Sequence, residues 1–267
     1  MRLAVKIFFI SLAIFSFVVQ KAASEELLFK PLFANPFEAR IGSFYMSEEK
    51  KLRLDIGASF DFAKFTVDSN EAALGGDFFT YTRLRYDGRF KFPVETSDYY
   101  FGLNYSMELP FLLQSKVRFR AAHISSHLVD GYVVNDTFMQ KPIVYSREFL
   151  ELTYSGKWKQ LRYYIGLNYI FSTIPKDPNR IIPQIGFDYE RPFCDWLSFV
   201  FGMDYKLVGI DDIWQGTTSA QLGLTFYTYK HYGIFVGAFM FKGRSIHGQF
   251  YRDIDDYMGL GFQFLFL

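Results

Sequence analysis

The sequence has one cysteine, almost no net charge and no segment long and apolar enough for a membrane-spanning helix. The single Cys194 excludes an intramolecular disulfide and any metal site built from several cysteines. A formal net charge of +1 provides no broad basic surface for nucleic acid. A transmembrane helix needs about 20 consecutive apolar residues, and no stretch of this chain reaches that length.

The N-terminal residues have the form of a secretory signal. Two basic residues precede the uncharged, mostly apolar stretch 7–19, and Ala22 and Ser24 are small residues at the spacing that a signal peptidase prefers. The stretch is too short to cross a bilayer as a helix. We therefore expect residues 1–24 to be a signal peptide.

Aromatic residues make up 21% of the chain, and they alternate with polar residues along it. Successive side chains of a strand point to opposite faces, so each alternating segment has one apolar and one polar face. Such segments occur at 52–62, 83–92, 99–108, 116–121, 150–154, 161–171, 184–189, 197–205, 220–226 and 258–266. With a first strand near 39–45 and a stretch at 232–241 that is apolar on both parities, they predict about twelve strands.

Two segments complicate this count. The pair Asp87-Gly88 is a two-residue hairpin signal, which would raise the number of strands to about 14. Residues 63–77 are predicted as a long connection, either a periplasmic insertion or one that fills the lumen.

The connections at 126–144, 172–180, 207–217 and 242–257 are also predicted to be long, and they alternate with short ones. Outer-membrane barrels have short periplasmic turns and longer external loops, so we expect these four loops outside.

The polar parity separates a membrane barrel from a soluble one. A soluble ligand-binding barrel turns its apolar face inward, and about twelve strands are too many for that class. Charges of both signs on the polar parity predict a lumen of ion pairs, formed by Arg83, Arg85, Arg118, Arg120, Asp55, Asp61, Glu151 and Asp188. The last segment also resembles the terminal strand of bacterial outer-membrane barrels. We predict an all-β fold, a transmembrane antiparallel β-barrel over residues 39–267 in the bacterial outer membrane, after a periplasmic segment at 25–38.

A histidine, a serine and a glutamate are predicted to meet at the outer end of two neighbouring strands. The lipid-facing parity of the strand at 116–121 leads outward to His123 and Ser125. The same face of the next strand carries Ser146 and Glu148. If the loop between the strands closes symmetrically, His123 lies opposite Glu148 and Ser125 lies opposite Ser146, within contact distance.

These residue types are the ones that nucleophilic ester cleavage requires. A serine hydroxyl is a weak nucleophile and needs a base, and the base needs a third group to orient its ring. We assign Ser125 as nucleophile, His123 as base and Glu148 as orienting carboxylate. A site that faces the outer leaflet would meet acyl esters, so the hypothesis is a lipid esterase whose substrate is membrane lipid.

Other interpretations of the same residues stay open. Polar side chains cost only about 0–1 kcal/mol at the membrane interface, so the cluster could simply contact headgroups or loop amides. A β-bulge at Ala121-Ala122 would turn His123 into the lumen. The barrel could also be a narrow pore or uptake channel whose specificity comes from the lumen charges, or a structural surface protein without catalysis.

Four segments resemble a family of uncharacterised bacterial proteins, domain of unknown function twelve-oh-seven. They are Leu28 to Pro36, His123 to Asp130, Tyr145 to Glu148 and Gly248 to Phe250, and they span nearly the whole mature chain. The family brings no established activity. Two of its segments coincide with the predicted rim cluster, which favours a functional site there.

A weaker resemblance is to outer-membrane phospholipase A and lipid A deacylase. The segment His123-Ile124-Ser125 is similar to their His-x-Ser core, although those enzymes usually continue with Asn, where this chain has Ser126. Glu148 is similar to the third catalytic group of the deacylase. Analogy with the phospholipase implies calcium and a homodimer, and an outer-membrane barrel implies the insertion machinery as a partner. The residues themselves identify no cofactor or metal.

Overall fold

The computed structural model describes residues 26–110, 114–134, 137–229 and 232–266, so the expected signal peptide at 1–24 lies outside the described residues. The strands are β1 (Ile41–Met46), β2 (Lys51–Val67), β3 (Asn70–Arg85), β4 (Val94–Glu108), β5 (Lys116–Leu128), β6 (Val133–Val134), β7 (Thr137–Phe138), β8 (Tyr145–Trp158), β9 (Leu161–Ile174), β10 (Ile181–Cys194), β11 (Leu197–Ile210), β12 (Ile213–Tyr229), β13 (Tyr232–Arg244) and β14 (Ile254–Phe266). Short 3₁₀ turns lie at Asp130–Tyr132 and Gly248–Phe250. In the part of the chain that the structure describes, no helix has the length and apolar character needed to cross a membrane.

Twelve of these strands form one closed antiparallel barrel, which confirms the predicted fold and strand count. Each barrel strand pairs with its neighbours along the chain, and β1 closes the barrel by pairing with β14. The two short strands β6 and β7 pair only with each other, in the connection between β5 and β8.

Two predicted connections are wrong. Residues 63–77 belong to β2 and β3, which meet at a two-residue turn, Asp68 and Ser69, both with positive φ (46° and 70°). A bulge between Asp61 and Ala63 shifts the parity of β2, and the sequence alternation is lost there for that reason. The predicted loop at 207–217 is likewise made of strand ends that meet at a two-residue turn, residues 211–212, with φ of 50° and 62°.

The hairpin signal at Asp87-Gly88 adds no strand pair. Strand β3 ends at Arg85, and residues 86–93 form the connection from β3 to β4. The backbone closes this connection with hydrogen bonds from Asp87 N–H to the carbonyl of Lys91 (3.0 Å) and from Lys91 N–H to the carbonyl of Gly88 (2.9 Å). The barrel therefore has twelve strands and not about 14.

The outward side chains of the barrel are largely apolar. Leu103, Ile165 and Leu260 are 67%, 59% and 72% exposed, and all three lie on the parity that the sequence predicted to face lipid. In a closed barrel no strand edge is left unpaired, so the outer face can meet hydrocarbon without exposing free backbone groups.

The inward side chains near the barrel centre form ion pairs, as predicted for the lumen. Arg53 lies 2.7 Å from Asp55, and Arg120 lies 2.7 Å from Glu151, with all four side chains almost fully buried. Buried charges are tolerated only when they are paired and hydrogen-bonded. The side chains on the polar parity of the strands thus line the barrel interior, as predicted, and do not form a solvated surface.

The N-terminal segment lies inside the barrel. Residues 25–38 are predicted to be a periplasmic segment, and the structure places Leu28, Asn35 and Glu38 of this segment against lumen side chains. Glu38 accepts hydrogen bonds from Arg118 (3.1 Å) and Arg120 (3.3 Å), and Lys206 donates to Asn35 (2.7 Å). Some charged side chains of the strands that line the lumen thus have their hydrogen-bond partners on this segment.

The lumen also contains an apolar layer. Phe235, Phe239 and Phe241 of β13 point inward and are buried, while the alternate residues of the strand face outward. This explains why residues 232–241 are apolar on both parities. At the same end of the barrel, the loop 245–253 folds into the lumen, and Phe250 packs under the guanidinium group of Arg83 (3.7 Å to the ring centre).

Candidate functional site

The strand register brings the predicted site residues together. In the antiparallel pair of β5 and β8, His123 is the partner of Glu148 and Ser125 is the partner of Ser146, as the sequence predicted. The register of β5 runs without interruption from residue 116 to residue 128 against β4. The alternative of a bulge at Ala121-Ala122 is therefore wrong, and His123 keeps its outward direction.

The imidazole of His123 is held by a carboxylate. Its Nδ1 lies 3.0 Å from Oε1 of Glu148, and the two side chains are 41% and 29% exposed. With Nδ1 donating its proton to Glu148, the Nε2 atom carries a free lone pair. Ser125 lies two residues further along the same outward face of β5.

Two further serines complete the environment of Glu148. Ser146 donates a hydrogen bond to Oε1 of Glu148, and Ser172 of β9 is the partner of Glu148 in the strand register. Ser172 faces outward because the register of β8 and β9 shifts between Glu148 and Phe149. The sequence analysis missed Ser172, since simple alternation from Phe171 assigns it to the lumen.

The inner face of β5, the strand that carries His123 and Ser125, is held by the loop 245–253. Gln249 donates hydrogen bonds from its side-chain nitrogen to the carbonyl of Ser126 (2.8 Å) and from its backbone N–H to the hydroxyl of Ser126 (3.1 Å). Gly248 donates its backbone N–H to Asp98 (2.8 Å), and a Cβ at this position would lie 2.3 Å from the ring of Tyr145. Only glycine fits this close approach of the loop to β8.

A buried hydrogen-bonded pair of side chains lies behind the site. Nδ1 of His247 is 2.7 Å from Oδ2 of Asp98, and both side chains are almost fully buried. The sequence analysis did not find this pair, because the two residues are separated by 149 positions and His247 lies in a connection without a strand pattern. The signal that was available is the short segment Gly248 to Phe250, which resembles the family and directly follows His247.

The donor set of the outer site does not suit a resident calcium ion. Calcium takes about six to eight oxygen ligands, often several carboxylates. The cluster holds one carboxylate, that of Glu148, and this group already receives hydrogen bonds from His123 and Ser146. Among the described residues, no group of three or more His, Cys, Asp or Glu side chains converges as a metal site.

The closed barrel with an apolar outer face and a charged interior defines this molecule as a β-barrel of the outer-membrane class. Outer membrane phospholipase A from Escherichia coli has a similar fold, with a TM-score of 0.54 at 11% identity over 92% of this chain and 96% of that chain. The outer membrane phospholipase of Salmonella typhi, solved as a dimer with bound calcium, gives a TM-score of 0.56 at 12% identity over the same shares. Identities this low establish the shared fold alone.

The chain belongs to the family described as "Protein of unknown function (DUF1207)", whose model matches residues 14–266. This confirms the resemblance that four sequence segments indicated. No curated protein matches the chain. Two of these segments pair in the outer site, and a third, Gly248 to Phe250, packs against its inner side.

Proposed function

We propose that this protein is an outer-membrane esterase that hydrolyses acyl esters of membrane lipids at Ser125, His123 and Glu148. The observation that carries the proposal is the 3.0 Å contact between Nδ1 of His123 and Glu148, on the outward face of a strand that also carries Ser125. The similar fold of proteins named as phospholipases supports an enzyme that acts on lipid.

Each residue has a distinct part in the reaction. Ser125 Oγ attacks the carbonyl carbon of the ester while Nε2 of His123 takes the hydroxyl proton, and Glu148 stabilises the imidazolium that forms. The tetrahedral intermediate expels the lipid alcohol, which receives the proton from His123, and an acyl-serine remains. A water molecule, deprotonated by His123, then attacks the acyl group, releases the fatty acid and restores Ser125.

The surroundings of the site favour a lipid substrate over a water-soluble one. On the membrane side of His123 the outward neighbours are Ala121, Leu103 and Leu150, which lie side by side on three strands. An acyl chain that enters this surface stays in contact with apolar groups while its ester reaches Ser125. The proposed orientation places this end of the barrel in the outer leaflet of the bacterial outer membrane.

The pore alternative predicts a different measurement. The N-terminal segment and the apolar layer occupy the lumen, and the side chains of Glu38 and Leu32 are almost fully buried there. We therefore expect the purified protein to give no stepwise conductance in a planar bilayer. Stepwise conductance by the wild type would favour a passive channel.

The first experiment is acyl release from lipid by the reconstituted protein. Wild type in vesicles of phospholipid or lipopolysaccharide, assayed with and without calcium, is expected to release fatty acid. Ser125→Ala and His123→Ala should each lower the rate at least roughly 10³-fold, because a triad without its nucleophile or base loses most of its catalysis. Mass spectrometry of free fatty acid measures this.

The matched control is Ser106→Ala on the neighbouring strand. The Ser106 hydroxyl is buried in the lumen without a hydrogen-bond partner among the described residues, so its loss should change neither folding nor rate. Heat-dependent migration on gels reports folding of each variant. Release of no fatty acid by folded wild type with any of these lipids, at any calcium concentration, contradicts the proposed function.

A further inference from the structure

Residue polarity on the outer face changes across the level of Ser125. The strand register aligns Thr80, Tyr99, Ser125 and Ser146 at one level of the barrel. Two residues further toward the outer ends of these strands, the register aligns Thr82, Ser97 and His127, which we call the upper row. Four residues from Ser125 toward the barrel centre, the register aligns Gly76, Leu103, Ala121 and Leu150, which we call the lower row.

His127 is the most exposed polar group of the upper row. Its side chain is exposed, and its ring lies against Tyr99 at 5.9 Å between ring centres, at an angle of 64°. The backbone of His127 is fixed to the neighbouring strand, where Thr96 donates its hydroxyl proton to the His127 carbonyl (3.1 Å). The imidazole is therefore positioned against β4 and is exposed on the outer face of the barrel.

Ser125 lies between two histidines on one face of β5. His123, on the membrane side, is engaged by Glu148 (3.0 Å). His127, on the loop side, has hydroxyl neighbours instead: Ser97 is its partner in the register, and the hydroxyl oxygens of Thr82 and Ser97 are 3.4 Å apart. Residues two apart in a strand are separated by about 6.6 Å, so the backbone positions of His123 and His127 lie at similar distances on either side of Ser125.

A membrane lipid presents its groups in the same order. Its acyl chain runs from the ester toward the bilayer centre, and its polar part runs from the ester toward water. With the ester at Ser125, the chain follows the lower row and the polar part meets the upper row. The upper row offers hydrogen-bond donors from His127, Ser97 and Thr82 and no carboxylate, which suits an anionic oxygen group.

We propose that His127 binds a phosphate on the polar side of the ester, so that the substrate class is phosphate-bearing acyl lipids. This inference rests on the proposed function for the position of the ester. Two lipids carry the required chemistry, a glycerophospholipid and the phosphorylated lipid A. A neutral diacylglycerol has the same acyl esters as the glycerophospholipid but no phosphate.

The test measures binding, so that it does not depend on turnover. Ser125→Ala and the double variant Ser125→Ala/His127→Ala are compared by native mass spectrometry in detergent micelles doped with phosphatidylethanolamine, lipid A or diacylglycerol. We expect Ser125→Ala to bind a phosphate-bearing lipid more tightly than diacylglycerol, and His127→Ala to reduce that preference roughly 10-fold or more. Which of the two phosphate-bearing lipids loses binding identifies the source of the phosphate.

A lysine at the same position separates charge recognition from structure. Ser125→Ala/His127→Lys should restore much of the preference, because lysine is also a phosphate donor group. An unchanged preference in Ser125→Ala/His127→Ala, or equal binding of all three lipids by Ser125→Ala, overturns the inference. Failure of the proposed function is recognised separately, because it appears as absence of fatty acid release from wild type.

Discussion

At the scale of single residues, the proposed chemistry depends on one carboxylate on the outer face of the barrel. Glu148 contacts His123 across the strand pair and also accepts a hydrogen bond from Ser146. These bonds fix the carboxylate where it can orient the imidazole. Such a third group aids catalysis because it holds the imidazole in the tautomer with a free Nε2 and stabilises the imidazolium that forms.

Glu148→Gln is expected to lower kcat by roughly 10²–10⁴-fold while the strand pair stays intact. The amide is nearly the same size, but it can donate to Nδ1 and so favours the tautomer whose Nε2 cannot accept the serine proton. The measurement is turnover of a short-chain ester by the folded variant. Glu71→Gln, an exposed side chain on β3, is the control, and full kcat in Glu148→Gln would show that this carboxylate has no orienting role.

The sequence predicted most of this residue-scale geometry. The pairs of His123 with Glu148 and of Ser125 with Ser146 followed from parity and a symmetric loop, because β5 has no bulge. The outward position of Ser172 could not be predicted, since it depends on a bulge that only the paired strands reveal. The catalytic roles of the three residues stay predictions.

At the scale of elements, β5 is held on its inner face along its length. Arg118 and Arg120 bond to Glu38 of the N-terminal segment, and further outward Ser126 bonds to Gln249 of the loop 245–253. The outward side chains of β5 thus rest on a strand that is fixed from inside. Precise placement of catalytic groups requires such support, because small displacements lower the rate.

Gln249→Ala is expected to lower both kcat and the free energy of unfolding. The variant loses the side-chain bonds to the carbonyls of Ser126 and Ile143 (both 2.8 Å), which leaves two acceptors without their donor. We expect a loss of about 1–3 kcal/mol in urea unfolding, together with faster proteolysis of the loop 245–253.

The control for this variant is Gln215→Ala. Among the described residues, the side chain of Gln215 makes only a long contact of 3.5 Å to the carbonyl of Gly216, so its loss should leave both kcat and unfolding unchanged. Wild-type kcat in Gln249→Ala, with the expected loss of stability, would show that the loop supports the barrel without positioning the site.

At the scale of the whole molecule, the barrel is filled from both ends. The N-terminal segment brings Glu38 to Arg118 and Arg120, which are 80 and 82 positions away, and the loop 245–253 covers the other end. Alternation along the strands predicted the barrel, its outer face and its lumen charges. It could not predict the position of the N-terminal segment, since that segment has no strand period and its partners are distant in sequence.

Glu38 connects the stability of the filled barrel to pH. Burial raises the pKa of the Glu38 carboxyl, but the guanidinium groups of Arg118 and Arg120 lower it below its ordinary value of 4.5. A carboxyl whose pKa is lower in the folded state stabilises above the unfolded pKa and loses this contribution as pH falls through the folded pKa. Wild type should therefore lose stability below about pH 4.5.

Glu38→Gln is expected to be less stable at pH 7, by about 3–5 kcal/mol, because it leaves two buried guanidinium groups with less compensation. Its stability should also fall less between pH 6 and pH 3 than that of wild type. Urea unfolding followed by tryptophan fluorescence measures both effects, with Glu71→Gln as control. Equal pH dependence of the variant and wild type would exclude Glu38 as the titrating group.

Covalent capture of the nucleophile tests the central claim most directly. A long-chain alkyl fluorophosphonate in detergent micelles should react with Ser125, as its Oγ displaces fluoride from phosphorus and His123 takes the proton. We predict one modified peptide, containing Ser125, in wild type and none in His123→Ala. Modification of another serine, or no modification of folded wild type under conditions that label a known serine esterase, would contradict the account.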